Sequence, residues 1–223
     1  MDAFTTQRFN MVESQIRPND VTDRRIIDTM LQLPREHFVP TSLKTMAYMD
    51  EEIRIKEPAD GKPARALLRP MIIAKLVQLA DVSENELVLD VGCTTGYSTA
   101  ILASLSATVV GLECDELMVN TATAVLEKIR ADNAVIVQGA LNEGCAGEGP
   151  YDAILLNGYT PNPPTSLRDQ LKPGGRLVVI LSERGFGCAT IFERVGKGWS
   201  GRSVFNAAGP ALPGFESETE FVF

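Results

Sequence analysis

ELVLDVGCTTGYSTA, residues 86–100, is the stretch that decides the fold. Its first half, Leu87 to Val91, is apolar and β-branched, and it predicts a strand that is buried on both faces. Gly92 and Gly96 bracket the turn that follows, and helical spacing begins at Tyr97. A buried strand that turns directly into a helix is typical of a parallel α/β sheet.

The same alternation continues along the chain. The predicted strands are 87–91, 108–112, 134–137, 153–156 and 176–181, and the predicted helices are 97–105, 115–130 and 165–171. Strands of this kind, separated by helices, predict a parallel sheet with helices on both faces and right-handed crossovers. The runs 188–195 and 203–209 flank a turn at 196–198 and predict an antiparallel hairpin. The predicted fold class is therefore α/β, a Rossmann-like doubly wound sheet with a C-terminal antiparallel hairpin.

The first third of the chain has a different texture. Helical spacing within 6–32, broken at Arg17-Pro18-Asn19-Asp20, predicts two short N-terminal helices, whereas 48–69 has weak periodicity and predicts a lid or loop. A further helix is predicted to begin at Pro70. We predict one domain over 1–223, with a helical and loop cap over 1–69 and the Rossmann-like core over 70–223. The alternating end, 215–223, predicts a final edge strand.

Composition limits the classes of function. The formal net charge of −8, without a basic stripe, disfavours nucleic acid as a partner. No apolar run approaches the roughly 18 residues that span a membrane, and the opening MDAFTTQRFNMVESQ lacks a signal-peptide core, which predicts a cytoplasmic location. Four scattered cysteines and a single histidine, His37, favour neither a disulfide nor a metal site.

The turn after the first predicted strand is the candidate binding site. Ligands of open parallel sheets lie outside the carboxyl ends of the strands, and this turn is at such an end. Glu113 closes the next strand, where a carboxylate can accept hydrogen bonds from two ribose hydroxyls. A nicotinamide dinucleotide needs glycine at the positions of Gly92, Thr94 and Tyr97, so two of three fail.

The methyl-donor pattern, acid-x-Gly-x-Gly-x-Gly, fits this turn better. It maps onto Asp90, Gly92, Thr94 and Gly96, so only its middle glycine is replaced. S-adenosylmethionine carries no pyrophosphate and tolerates a turn that is less suited to anions. The sequence therefore favours an S-adenosylmethionine-dependent methyltransferase type of sheet. The alternative is a tight strand-to-helix turn in which Asp90 caps the helix and nothing binds.

Several segments together resemble the protein-L-isoaspartate O-methyltransferase family over nearly the whole chain. They are Met11-Val12-Glu13 with Ile16, PREHFVP (34–40), Ala47-Tyr48-Met49-Asp50, VLDVGCTTGYSTAILA (88–103), Tyr151-Asp152-Ala153-Ile154 and QLKPGGRLV (170–178). The resemblance implies methyl transfer from S-adenosylmethionine to the carboxylate of an isoaspartyl residue in a protein or peptide, the first step in repairing aged proteins. The oligomeric state is left open.

The resemblance also implies where the donor binds. The implied cofactor-binding residues are Asp90, Gly92, Cys93, Thr94, Gly96, Tyr97, Glu113, Gly139 and Ala140. No catalytic residue is assigned, because a sulfonium is an activated donor and a carboxylate is ionised at pH 7, so alignment and desolvation supply most of the acceleration. His37 is interpreted as a packing residue and Cys93 as a small filler of the turn.

Three positions depart from the family pattern. Residues 64–70, ARALLRP, stand where the family has a segment whose hydroxyls lie beside the reacting carboxylate, and both hydroxyls are absent. Ala140 follows Gly139 where the family has an acid that reaches the adenine amine. Thr94 replaces a glycine of the donor loop, where its Cβ crowds the ligand.

These departures leave alternatives open. Arg65 and Arg69 are either solvated, as arginines in charged loops usually are, or hold an anionic substrate, since guanidinium groups suit carboxylates. The chain is an isoaspartyl methyltransferase, a methyltransferase with another acceptor and an apolar pocket at Leu67 and Leu68, or a non-catalytic binding protein that kept the fold.

Overall fold

The computed structural model describes residues 2–59, 61, 63–183, 186–196 and 198–215. Its strands are β1 (Ile53–Lys56), β2 (Arg65–Leu67), β3 (Leu87–Val91), β4 (Thr108–Glu113), β5 (Ala134–Gln138), β6 (Tyr151–Thr160), β7 (Leu171–Glu183), β8 (Phe186–Val195) and β9 (Gly198–Asn206). Its α-helices are α1 (Ala3–Met11), α2 (Arg24–Gln32), α3 (Pro70–Ala80), α4 (Tyr97–Ala103), α5 (Glu116–Ile129) and α6 (Thr165–Arg168).

Seven described strands form one sheet in the order β5-β4-β3-β6-β7-β8-β9. The first five in that order are parallel, and β8 and β9 run antiparallel to their neighbours. The strand order reverses between β3 and β6, so β3, β4 and β6 end around one crevice, where ligands bind in open α/β sheets. The predicted doubly wound sheet with its C-terminal hairpin is confirmed.

The predicted segment 48–69 is not a loop alone. It contains the two-stranded antiparallel sheet β1–β2, in which Ile53 pairs with Leu67 and Arg54 pairs with Ala66. All three residues of β2 are buried, so this short strand lies against the body of the protein. The periodicity gave no signal because β2 is too short to alternate and is buried on both faces.

Other bounds shift by a few residues. Strand β7 begins at Leu171 instead of Arg176, and α6 ends at Arg168. The first N-terminal helix continues beyond Met11 through a π-helical turn, Val12–Ile16. The break follows at Pro18, within the segment where it was predicted. The predicted final strand, 215–223, lies outside the described residues apart from Phe215. No helix in the described ranges has the length and apolarity that crossing a bilayer requires.

The PREHFVP segment joins the N-terminal cap to the sheet. Arg35 is fully buried and donates hydrogen bonds to the carbonyls of Ala47 and Leu68, both at 2.8 Å. Its guanidinium lies 4.5 Å from the centre of the Tyr97 ring, at the start of α4. Thr95 donates a hydrogen bond to the Phe38 carbonyl at 2.5 Å. The cap is therefore fastened to the turn that follows β3.

The chain after β9 returns to the end of β6. Tyr159 donates its backbone N–H to the Pro210 carbonyl at 2.8 Å, and Leu212 donates to the Tyr159 carbonyl at 3.1 Å. Gly158 allows this approach, because a methyl group there would overlap the Pro210 carbonyl and lie 2.9 Å from the Leu212 side chain. This contact places Leu212 over the crevice.

Replacing Gly158 with Ala is expected to lower the free energy of unfolding by about 2 kcal/mol, since the new methyl group overlaps a backbone carbonyl that cannot rotate away. Urea unfolding of the purified protein measures the change. The matched control is Gly147→Ala, where a methyl group meets nothing within 4 Å and a change below about 0.5 kcal/mol is expected. Equal losses in the two variants would contradict the close approach.

Candidate functional site

Asp90 lies beneath the turn, and its side chain is shielded from solvent. Its carboxylate is fully buried and accepts hydrogen bonds from the Ser98 hydroxyl at 2.7 Å and the Thr99 hydroxyl at 2.6 Å. The Asn157 amide donates to its other oxygen at 2.5 Å. Asp90 therefore joins the end of β3 to the first turn of α4 and to β6. It is not the N-cap of α4, a position that Gly96 occupies without a side-chain hydrogen bond.

Burial dominates the protonation of this carboxyl. It raises the pKa of Asp90 to about 6, although the hydrogen bonds from Thr99, Ser98 and Asn157 stabilise the charged form in part. The charge on nearby Glu113 raises the pKa further. Ionisation of Asp90 in the folded protein therefore costs more free energy than ionisation of an exposed aspartate.

Glu113, at the end of β4, faces the same turn with every acceptor position in use. Its Oε1 accepts the backbone N–H groups of Cys114 at 2.8 Å and Asp115 at 3.2 Å. Its Oε2 accepts the backbone N–H of Thr94 at 2.9 Å and the Nη2 of Arg65 at 2.6 Å. A carboxylate offers about four lone-pair positions, so the predicted ribose-binding acid has no free acceptor in this conformation.

Arg65 reaches Glu113 from β2 and is buried with it. The side chains of Arg65 and Glu113 are 3% and 0% exposed, respectively. The Arg65 Nε and Nη1 atoms are buried, and among the described residues none accepts a hydrogen bond from them. Buried donors without partners cost free energy, so this guanidinium is held by a single ion pair. The interpretation of Arg65 as a solvated loop arginine is wrong.

Gly92 is covered by side chains. A methyl group built on it would lie 2.8 Å from Leu212 Cδ2, 3.2 Å from Arg65 Nη2 and 3.5 Å from Leu141 Cδ1. Gly92 has φ +72° and Gly96 has φ +90°, which suits glycine. Thr94 has φ +52° between them, a left-handed conformation that costs a β-branched residue about 1–2 kcal/mol.

The other predicted site residues are spread around the turn. Cys93 is buried, its sulfur points toward Gly111 and Thr99, and burial raises the pKa of its thiol well above the usual value. The Tyr97 ring packs edge-on against Phe38, with a distance of 5.2 Å between ring centres. It therefore faces the cap.

Gly139 and Ala140 lie beyond β5. The Gly139 N–H donates to the Glu113 carbonyl at 3.0 Å, which keeps the pair beside the end of β4. Ala140 is exposed. These two positions are therefore near Glu113, but they offer a ligand only backbone groups.

Sequence reasoning missed four residues of the site: Arg65 as a partner of Glu113, together with Asn157, Leu141 and Leu212. Asn157 carried a usable signal, because a polar residue that ends an apolar run at the carboxyl end of a parallel strand faces the crevice. The two leucines carried none, since an apolar residue in a loop is equally typical of ordinary packing.

A crevice at the strand reversal, a glycine turn after β3 and an acid at the end of β4 define a protein of the S-adenosylmethionine-dependent methyltransferase type. Residues 6–203 match the family model described as protein-L-isoaspartate(D-aspartate) O-methyltransferase. The protein-L-isoaspartate O-methyltransferase of Syntrophus aciditrophicus is 35% identical over 184 residues, 82% of each chain. That of Roseiflexus castenholzii is 32% identical, over 81% of this chain and 80% of its own. The chain belongs to the protein-L-isoaspartate O-methyltransferase family.

Solved structures share the fold. One protein-L-isoaspartate O-methyltransferase superposes with a TM-score of 0.78 at 22% identity, over 91% of this chain and 64% of its own, longer chain. A putative Plasmodium falciparum protein-L-isoaspartate O-methyltransferase, solved with S-adenosyl-L-homocysteine, gives a TM-score of 0.74 at 20% identity. It covers 95% of this chain and 99% of its own.

Enzymes of this family use S-adenosylmethionine. The backbone framework of the site fits that donor, because Glu113 faces a turn whose glycines allow close approach. Two side chains, those of Arg65 and Leu212, lie where a donor on Gly92 and Glu113 would lie. Both side chains would have to move before a donor could rest on Gly92 and Glu113.

Asp90 gives the stability of the protein a specific dependence on pH. Its folded pKa of about 6 lies above the unfolded value of 3.8, so the folded state binds more protons between these values and stability falls as pH rises through about 6. Unfolding of wild type and Asp90→Asn should show that wild type loses about 1 kcal/mol relative to the variant between about pH 5 and pH 7. A difference that stays constant with pH would refute the shifted carboxyl.

Proposed function

We propose that this protein transfers a methyl group from S-adenosylmethionine to the carboxylate of isoaspartyl residues in proteins or peptides. The observation that carries the proposal is the position of Glu113, at the end of β4 and facing the turn after β3, in a chain of this family. A cytoplasmic location stays a prediction, and the chain has no assigned oligomeric state.

When bound, the donor supplies a sulfonium methyl group that an ionised carboxylate can attack without a general base. The chain's own contribution is to position the two reactants and to exclude water. This demand suits a site whose buried carboxylates near the turn, among the described residues, are those of Asp90 and Glu113, with Cys93, Tyr97 and Arg65 as other buried titratable groups there. None of them is free to act as a base.

The residues that would hold the donor divide by role. Glu113 would accept the ribose hydroxyls, and the backbone of 92–96, with Gly139 and Ala140 beyond β5, would line the donor. Asp90, Cys93 and Tyr97 would act indirectly, because their side chains point into the protein and hold the turn in shape. Thr94 contributes its backbone N–H to the orientation of Glu113.

The acceptor has two places to lie, and they differ in size. The cavity beside Leu67, Leu68 and Asn157 has a volume of only about 10 Å³, room for one water. A cavity of about 320 Å³ lies between Tyr159, Ser182 and the segment 207–209, at the ends of β6 and β7. Its volume suits a peptide side chain and its neighbours, so we place the acceptor peptide there. No hydroxyl of 64–70 is available to orient its carboxylate.

An isoaspartyl peptide and its aspartyl counterpart, each supplied with methyl-labelled S-adenosylmethionine, test the reaction. We expect labelled ester on the isoaspartyl peptide alone, because the two peptides place the free carboxylate differently along the backbone. Absence of label above blank on the isoaspartyl peptide, with the donor shown to bind, would instead favour a different acceptor.

Glu113→Gln tests the donor site independently of the acceptor. Loss of the charge weakens hydrogen bonds from the ribose hydroxyls, and we expect at least a roughly tenfold weaker affinity for S-adenosylhomocysteine by calorimetry. Glu127→Gln, an exposed glutamate on α5, is the matched control and should bind as wild type does. Equal affinity in Glu113→Gln and wild type would remove Glu113 from the donor site.

A further inference from the structure

We propose that Arg65 is an intramolecular latch on the donor site, which competes with the donor's ribose hydroxyls for Oε2 of Glu113. The inference rests on the proposed function, because it concerns access to the same site. It assigns a role to a residue that is not among the predicted donor-binding residues.

The first argument is the saturation of Glu113. Of its four nitrogen donors, three are the backbone N–H groups of Thr94, Cys114 and Asp115, and these cannot leave without rebuilding the turn or the end of β4; the Cys114 thiol adds a weaker contact to Oε1 at 3.4 Å. The fourth comes from the Arg65 side chain. On Oε2, the donors are the Thr94 backbone N–H and the Arg65 side chain, so Arg65 is the group that a ligand hydroxyl would replace there.

The second argument is that the hydrogen-bond donors of Arg65 are only partly satisfied. Its Nη2 is paired with Glu113, but its buried Nε and Nη1 lack acceptors among the described residues. A buried guanidinium with one ion pair gains little over its solvated state, because desolvation offsets much of the attraction. The latch is thus held weakly enough to open.

The third argument is the route by which Arg65 can leave. The side chain lines a cavity of about 100 Å³ bounded by Lys56, Glu57, Pro63 and Cys114. Glu57 is 73% exposed, so this cavity leads toward solvent. Rotation of the guanidinium into the cavity frees Oε2 and also uncovers Gly92, since Arg65 lies 3.2 Å from the methyl position there.

Calorimetric titration of S-adenosylhomocysteine into the 223-residue chain tests the latch, with wild type, Arg65→Ala, Arg65→Lys and Arg54→Ala compared. Arg65→Ala is expected to bind at least tenfold more tightly than wild type. Arg65→Lys keeps the charge with a shorter reach and should lie between them. Arg54→Ala removes the same charge from an exposed position of the same hairpin and should match wild type. Thermal unfolding of each variant verifies that it is folded.

The outcomes separate the latch from the proposed function. Equal or weaker binding by Arg65→Ala overturns the latch and leaves donor binding by wild type intact. Binding by neither protein removes the donor, and with it both the latch and the proposed function. Tighter binding without methylation of the isoaspartyl peptide supports the latch and contradicts the proposed acceptor.

A measurement on wild type avoids dependence on the binding affinities of the variants. The Arg65 Nε–H resonance, assigned by its loss in Arg65→Lys, should exchange slowly with water because the atom is buried. Saturation with S-adenosylhomocysteine should accelerate this exchange at least tenfold as the side chain moves out. Unchanged slow exchange in the saturated protein would overturn the latch even if Arg65→Ala failed to fold.

Discussion

The fully buried carboxylate of Asp90 is the interaction on which the site depends. It ties together three elements that are distant in sequence, namely the end of β3, the first turn of α4 and β6, through Ser98, Thr99 and Asn157. Because an unpaired buried carboxylate is costly, these partners cannot be lost singly. The turn between β3 and α4 is therefore fixed by hydrogen bonds on its buried side. Its other side presents glycines and backbone amides. Glu113 stands across from that surface on the neighbouring strand.

The sequence was sufficient to predict the sheet, but not the β1–β2 hairpin or the side-chain contacts at the site. Leu87–Val91 was placed without error because a buried parallel strand is uniformly apolar and ends at a turn. The β1–β2 hairpin was missed because three buried residues show no periodicity. Glu113 was found from its position at a strand end, whereas its pairing with Arg65 depends on contacts between residues 48 positions apart. Local pattern carries no information about such a pair. The proposed donor-binding residues, Glu113 among them, stay predictions.

Family membership and the geometry of the site address different questions. The family match over residues 6–203 assigns the class of chemistry, and the backbone framework agrees with it. The side chains of Arg65 and Leu212 crowd the proposed donor site at Gly92, and Thr94 strains its turn. A donor that carries a positive sulfonium is also disfavoured by a guanidinium held nearby, since like charges in a buried site repel strongly. Removal of Arg65 from the pocket thus relieves both steric and electrostatic conflict.

The composition of residues 64–70 couples the burial of β2 to the position of Arg65. Ala66 and Leu67 allow β2 to be buried along its whole length, which a run of hydroxyl-bearing residues would resist. Burial of β2 carries Arg65 inward, and a buried guanidinium requires an anion. Among the described residues that line this part of the crevice, Glu113 is the acid whose side chain it reaches. The burial of β2 and the pairing of Arg65 with Glu113 therefore have a single physical origin. If β2 stayed buried without the ion pair, the charge on Arg65 would be buried and unpaired. If hydroxyl-bearing residues were introduced while β2 stayed in place, a polar strand would lie away from solvent.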